Sequence, residues 1–236
     1  MMPPIAILAG GLATRLLPET GTVPKALLEV AGRPFIHHQL KLLKRKGFTQ
    51  AVICAGHLGE QIRESVQKVN GMGLKIIYSF DGESLLGTGG ALLKAAPLLG
   101  DVFMVTYGDT YLDTDYGAVL QAFREQNQPG LITVLKNENR WGKSNVLFAG
   151  GRIIKYDKRD PTADMKHIDY GLAVLKSRAL AGIPAGEFYD LSDLYARLAD
   201  RGSLAGYEVK QRFYEIGSRE GLRETRQYFE KLEGVL

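Results

Sequence analysis

Residues 8–25 read LAGGLATRLLPETGTVPK. They continue the apolar run Ile5-Ala6-Ile7-Leu8, which has the character of a buried strand. Gly10 and Gly11 follow the strand directly, then come Arg15 and, behind Pro24, Lys25. Glycines lack Cβ, so backbone N–H groups there can approach an anion closely. Arg15 and Lys25 bring two full positive charges to the same region. Two glycines alone would be an ordinary βα turn; with both cations the loop suits a polyphosphate.

Outward from this stretch, strand and helix patterns alternate. Strands are predicted at Ile5–Leu8, 51–54, 75–78 and Val102–Tyr107, and helices at 35–46, 59–69, 90–95 and Tyr116–Gln126. Four βα units in a row predict an α/β fold with a doubly wound, mainly parallel, Rossmann-like sheet and helices on both faces. Ligands of such sheets bind beyond the carboxyl ends of the strands. From residue 131 the pattern changes to short strands at 131–135, 145–148, 153–155 and 168–174. A helix at 191–201, a short strand at 213–216 and a helix at 220–232 complete it. Without an internal repeat or a low-complexity linker, one domain over 1–236 is expected.

Composition narrows the function. A formal charge of +4 is too small to argue for nucleic acid, and no basic stripe with interleaved aromatics appears. Lys41, Lys44, Arg45 and Lys46 fall at the tail of a predicted helix, where they favour the negative end of its dipole. No run of about 18 apolar residues occurs, so no membrane partner is expected, and no secretory signal is read at the N-terminus. The single cysteine, Cys54, lies in an apolar run and reads as a core residue; one cysteine fits a reducing cytoplasm. Gly142-Lys143-Ser144 looks like the end of a P-loop but lacks its first glycine, since Asn137 stands there. The four histidines show no metal spacing.

Further motifs sit where chemistry would need them. Gly108-Asp109 follows a strand, so the Asp109 carboxylate would project into the crevice that holds the Gly10 loop. Mg²⁺ wants one or two carboxylates plus phosphate oxygens; a plain turn is the alternative reading. Leu86-Gly87-Thr88-Gly89-Gly90 opens a short helix that Thr88 could cap, with glycines that allow a flat ligand near the backbone.

Taken together, Gly10-Gly11-Leu12-Ala13-Thr14-Arg15 and Pro24-Lys25 resemble the signature of the sugar-1-phosphate nucleotidyltransferases, a G-G-x-x-T-R loop followed by Pro-Lys. Ala13 departs from the family's usual glycine. The later motifs follow in the family's order. Length and the lack of a β-helix look most like its short bacterial uridylyl- and guanylyltransferases. The resemblance implies a nucleotide-diphospho-sugar transferase fold with a nucleotide-binding half over about 1–130 and a sugar-phosphate half over about 131–236, whose part of the sheet is mixed. It implies an NTP and a sugar 1-phosphate as partners, and Mg²⁺ as cofactor. Leu8, Ala9, Gly10, Gly11 and Arg15 would hold the triphosphate, Lys25 the α-phosphate, and Gly87, Thr88 and Gly89 the base. Arg15, Lys25 and Asp109 would be catalytic. Lys158 would grip the acceptor phosphate, although Arg159 replaces the family's proline and a solvated charge run is the competing reading. Asp169, Tyr170 and Gly171 would line the sugar, core packing being an equal reading of Tyr170. Asp109 and Glu215 would hold the metal, Glu215 standing where relatives have Asp.

Two rival classes are weighed. A catalytically inactive nucleotide-sugar-binding regulator on the same fold would be expected to lose Lys25 or Asp109, and both are present. A Rossmann oxidoreductase would need a complete glycine fingerprint in the first βα unit and an acid at the end of the second strand, where Ala55-Gly56-His57 stands instead. Base, sugar, pathway and oligomeric state, a homo-oligomer included, are left open.

Overall fold

Strand β1 (Ile5–Leu8) is buried on both faces, as the continuous apolar run requires. The computed structural model describes residues 1–11 and 23–233. After β1 come a short ribbon, β2 (Glu29–Val30) and β3 (Arg33–Pro34), and helix α1 (Phe35–Arg45). Then β4 (Gln50–Ala55), α2 (Gly59–Lys68), β5 (Lys75–Phe80), α3 (Gly87–Ala95), β6 (Val102–Tyr107), β7 (Thr110–Tyr111) and α4 (Tyr116–Gln126) follow. The rest is β8 (Gly130–Lys136), β9 (Val146–Ala149), β10 (Arg152–Tyr156), β11 (His167–Lys176), α5 (Leu191–Asp200), β12 (Leu204–Val209), β13 (Tyr214–Glu215) and α6 (Arg219–Glu233).

Nine of the strands form one sheet in the order β5-β4-β1-β6-β11-β8-β12-β10-β9. β5, β4, β1 and β6 are parallel, as the βα units predict. β11 enters antiparallel between β6 and β8, and β10 and β9 are antiparallel as well. The sheet is thus parallel through its first half and mixed in its second, where β12 runs parallel to β8 beside the antiparallel strands β11, β10 and β9. β12 escapes the sequence reading. Gly206 interrupts its pattern, yet that glycine is needed, since a Cβ there would lie 2.6 Å from the Phe148 ring.

Alternation along the strands divides the core. Ile5, Ile7, Ile53 and Met104 face α1, α2 and α4, while Ala6, Leu8, Val52, Cys54 and Val105 face α3 and α5. Helices on both faces are thus as expected. A smaller cluster, with Val30, Phe35, Tyr111, Ile216 and Phe229, joins the β2–β3 ribbon, the β7–β13 ribbon and α6. Leu8 is level with Cys54 on one side and Tyr107 on the other. The carboxyl ends of β1, β4 and β6 therefore share one rim, and that rim positions the site.

Candidate active site

A cleft of about 380 Å³ opens over this rim. Leu8, Ala9, Gly10, Gly11, Lys25, Gly87, Thr88 and Asp109 all line it. Residues far apart in the chain are thus brought together as the motif reading requires. Arg15 lies outside the described residues, as do Leu12, Ala13 and Thr14.

Close approach explains the glycines at the floor. A Cβ on Gly10 would sit 3.1 Å from the Gly56 nitrogen, and one on Gly56 would sit 2.8 Å from the Gly10 oxygen. A Cβ on Gly108 would lie 2.8 Å from that of Ala9. Only glycine lets the exits of β1, β4 and β6 converge so tightly. Beside Gly11 the space is open, with nothing within 4 Å of a Cβ there.

The charged groups meet at the other side of the floor. Lys25 heads a short 3-10 turn (Lys25–Leu27), and its Nζ lies 3.1 Å from Asp109 Oδ2. The Thr110 hydroxyl donates to Asp109 Oδ1 at 3.1 Å. β13 pairs with β7, setting Glu215 opposite Thr110, and Ile216 N donates to Asp109 O at 2.9 Å. Glu215 Oε2, Asp109 Oδ2 and Lys25 Nζ lie 2.7, 3.1 and 3.5 Å from the point a Cβ of Gly217 would take. Gly217 has to be glycine for the two carboxylates and the ammonium to crowd there.

Among the described residues no three or more His, Cys, Asp or Glu side chains converge on a metal position. Asp109 and Glu215 nonetheless supply two hard oxygen donors on one side, and a triphosphate would complete the set, which is the arrangement Mg²⁺ favours. Glu215 is also occupied locally. Its carboxylate accepts from the backbone N–H of Gly217 and Ser218 and from the Ser218 hydroxyl, in the turn that leads into α6.

Several sequence expectations need correction. The helix begins at Gly87, not residue 90, and Thr88 does not cap it. The Thr88 hydroxyl instead accepts from Leu191 N at 2.8 Å and donates toward Asp190, at the start of α5. Gly89 is not there to admit a flat ligand. Gly89 N and Gly90 N donate to Tyr189 O at 2.8 and 3.2 Å, and a Cβ on Gly89 would meet the Tyr189 ring at 2.7 Å. Tyr170 is 1% exposed and packs edge-on against Phe213, so the core reading of it holds and contact with a sugar does not. Gly171 is explained by its φ of +92° at a bulge in β11, a conformation other residues resist. Asp169 spends its oxygens on the same bulge, accepting from Tyr156 OH at 3.0 Å and Gly171 N at 2.9 Å. Burial raises its pKa.

Lys158 is exposed in a shallower depression with Lys155, Arg159 and Asp193, outside the cleft proper. Its charge still reaches Asp169 and Asp190 and favours their ionised forms. Asp190 stands on the cleft wall; burial opposes its charge, but hydrogen bonds from Ser192 and the Lys158 charge leave its pKa lowered.

Sequence reasoning missed Asp81, Tyr107, Phe188 and Asp190, all of which line the cleft. Asp81 is 9% exposed, and burial raises its pKa. Phe188 is 69% exposed at the rim. Tyr107, crowded by burial and then by Asp169, Asp190 and Asp109, has its phenol pKa raised well above the usual value. Asp190 carried a readable signal, as an Asp directly before a helix, and Tyr107 ends a predicted strand; Asp81 and Phe188 come from loops that only the fold brings near. Cys54 also lines the cleft, and burial, with the Asp81 charge behind it, pushes its thiol up to about 12, so it is no nucleophile.

The nucleotidyl transferase family model matches residues 5–143, from β1 through Gly10, Lys25, Gly87 and Asp109. The chain belongs to the nucleotidyl transferase family. It is 28% identical to a UTP–glucose-1-phosphate uridylyltransferase of Synechocystis, an alignment covering 98% of this chain and 62% of that protein. It is 42% identical over 116 residues to the N-acetylmuramate alpha-1-phosphate uridylyltransferase of Neisseria meningitidis, covering 49% of this chain and 50% of that one. The chain thus spans under two thirds of the length of these relatives. In fold it matches HddC from Yersinia pseudotuberculosis, crystallised with GMP-PN, at a TM-score of 0.84 over 97% of this chain and 100% of that one, with 22% identity.

Proposed function

We propose that this nucleotidyl transferase moves a nucleotidyl group from an NTP to a sugar 1-phosphate, giving an NDP-sugar and pyrophosphate. The observation that carries the reading is the convergence of Gly10-Gly11, Lys25 and Asp109 on one cleft, with Glu215 beside Asp109. An oxygen of the acceptor phosphate attacks the α-phosphorus, and pyrophosphate leaves. A phosphate monoester is already anionic near neutral pH, its second pKa being about 6, so no general base is needed. The protein has to align two polyanions and offset charge in the transition state. In this reading the Gly10 and Gly11 amides, with Arg15 from its place in the motif, hold the β- and γ-phosphates. Lys25 turns from Asp109 to the α-phosphate. Asp109 and Glu215 would hold Mg²⁺, which when bound supplies charge neutralisation on the triphosphate. Lys158 meets the acceptor phosphate at the Asp190 wall. In this reading the enzyme works in the cytoplasm, where NTPs are made.

The relatives' names point first to UTP, with glucose 1-phosphate and N-acetylmuramate 1-phosphate as acceptors to try. The test is pyrophosphate release from each NTP against a panel of sugar 1-phosphates. One productive pair with an NDP-sugar product supports the reading. Tight nucleotide-sugar binding with no turnover on any pair would move the protein to the inactive, regulatory class.

A further inference from the structure

The Gly108-Asp109 turn is braced from beneath by one side chain. Gln39, on α1, is 2% exposed. Its Nε2 donates to Tyr107 O at 2.7 Å and to Thr110 O at 2.9 Å. Those are the carbonyls on either side of Gly108-Asp109. The amide orientation is forced, since the flipped form would set Oε1 against two carbonyl oxygens. Oε1 itself is buried without a partner among the described residues. A position that only filled space would do better with Leu or Met, which leave no buried acceptor unsatisfied. The same helix also fixes the Lys25 segment: Phe35 N donates to Leu28 O at 3.0 Å, directly after the Lys25–Leu27 turn. One rigid element therefore holds both partners of the 3.1 Å contact between Lys25 and Asp109.

We propose that Gln39 is a positioning residue that sets the Asp109 carboxylate in register with Lys25. The inference rests on the proposed role of Asp109. Without the amide donors, the Tyr107 and Thr110 carbonyls lose their partner, the turn relaxes and the carboxylate shifts from its place in the cleft. Small displacements of such groups carry large rate effects.

Gln39→Met keeps the length and apolar stem but cannot donate. Turnover should fall about 10–100-fold, and Mn²⁺ affinity, read by EPR titration in the presence of inorganic tripolyphosphate, should weaken by a similar factor. Leu43→Ala, in the core on the same helix, serves as the matched control: it should lower thermal stability without changing either quantity. Should Gln39→Met fail to fold, Gln39→Asn, whose amide falls one methylene short, carries the same expectation. A Gln39 variant that loses only melting temperature, with wild-type turnover and Mn²⁺ affinity, overturns the inference while leaving Asp109 in place. An Asp109→Asn variant with unchanged turnover overturns the reading beneath it as well.

Discussion

Two glycine-rich segments look alike in the sequence and face opposite things in the fold. Gly10-Gly11 leaves β1 toward the cleft, and the space beside Gly11 is open. Gly87, Gly89 and Gly90 open α3, and a Cβ on each would lie 2.7 Å from the Tyr189 oxygen, the Tyr189 ring and the Glu187 oxygen respectively. Gly11 leaves room for a ligand, whereas the second group, like Gly10 against Gly56, lets another piece of chain cross. A glycine reports that something must come close; its own sequence does not say whether that is a substrate or the protein itself.

The largest effect should come from the ligand-facing side. Lys25→Ala is expected to lower kcat about 10²–10³-fold with a native circular dichroism spectrum, the usual loss when a preorganised charge is removed from a transition state. Wild-type turnover would strip the Gly10 end of its assigned chemistry. On the protein-facing side, Gly90→Ala should cost stability, about 1–3 kcal/mol by overpacking against the Glu187 carbonyl, despite alanine's better helix propensity. A urea midpoint equal to wild type would show that the crossing is not tight. Glu215 straddles both roles, as the acceptor that ties the 217–218 turn before α6 and as a carboxylate beside Asp109. Glu215→Gln should raise the Mg²⁺ concentration for half-maximal rate about tenfold, and Glu215→Asp should do less harm; unchanged Mg²⁺ dependence in the Gln variant leaves only the turn contacts. Gly11→Ala should keep stability within about 0.5 kcal/mol while raising KM for the NTP. An unaltered KM would show that no phosphate approaches this backbone. The smallest effect is expected from exposed Lys158→Ala, a rise in KM for the sugar phosphate that exceeds any change for the NTP. Equal effects on both substrates would return Lys158 to the surface charges.

Continuous apolar runs were enough to place β1, β4, β5 and β6, and a clear apolar face placed α1, α2 and α4. These signals missed β12, where Gly206 breaks the pattern to make room for Phe148. The two-residue strand β7 is too short to carry a period at all, yet its pairing with β13, which falls within the short strand read at 213–216, brings Glu215 beside Asp109. Spaced motifs marked the cleft floor, because Gly10, Lys25 and Asp109 each sit just past a strand or proline. Parts of the wall were hidden for the opposite reason: Asp81 and Phe188 arrive from loops whose neighbours are set by the sheet order. Tyr170 shows a limit of motif reading. Alternation along β11 turns it into the core beneath Asp169 and away from the crevice.

β11 occupies a place in the sheet out of step with its place in the chain. Its antiparallel pairing to β6 runs from Leu172 opposite Thr106 to Lys176 opposite Val102. A growing polypeptide extends the first four strands long before it makes that partner. During this interval the outer edge of β6 offers unsatisfied N–H and C=O groups to any passing strand. Synthesis from the N-terminus thus leaves an aggregation-prone species waiting for residues 167–176. Severing the chain near residue 130 would make that state permanent, so the halves of this molecule should be recoverable together and not apart.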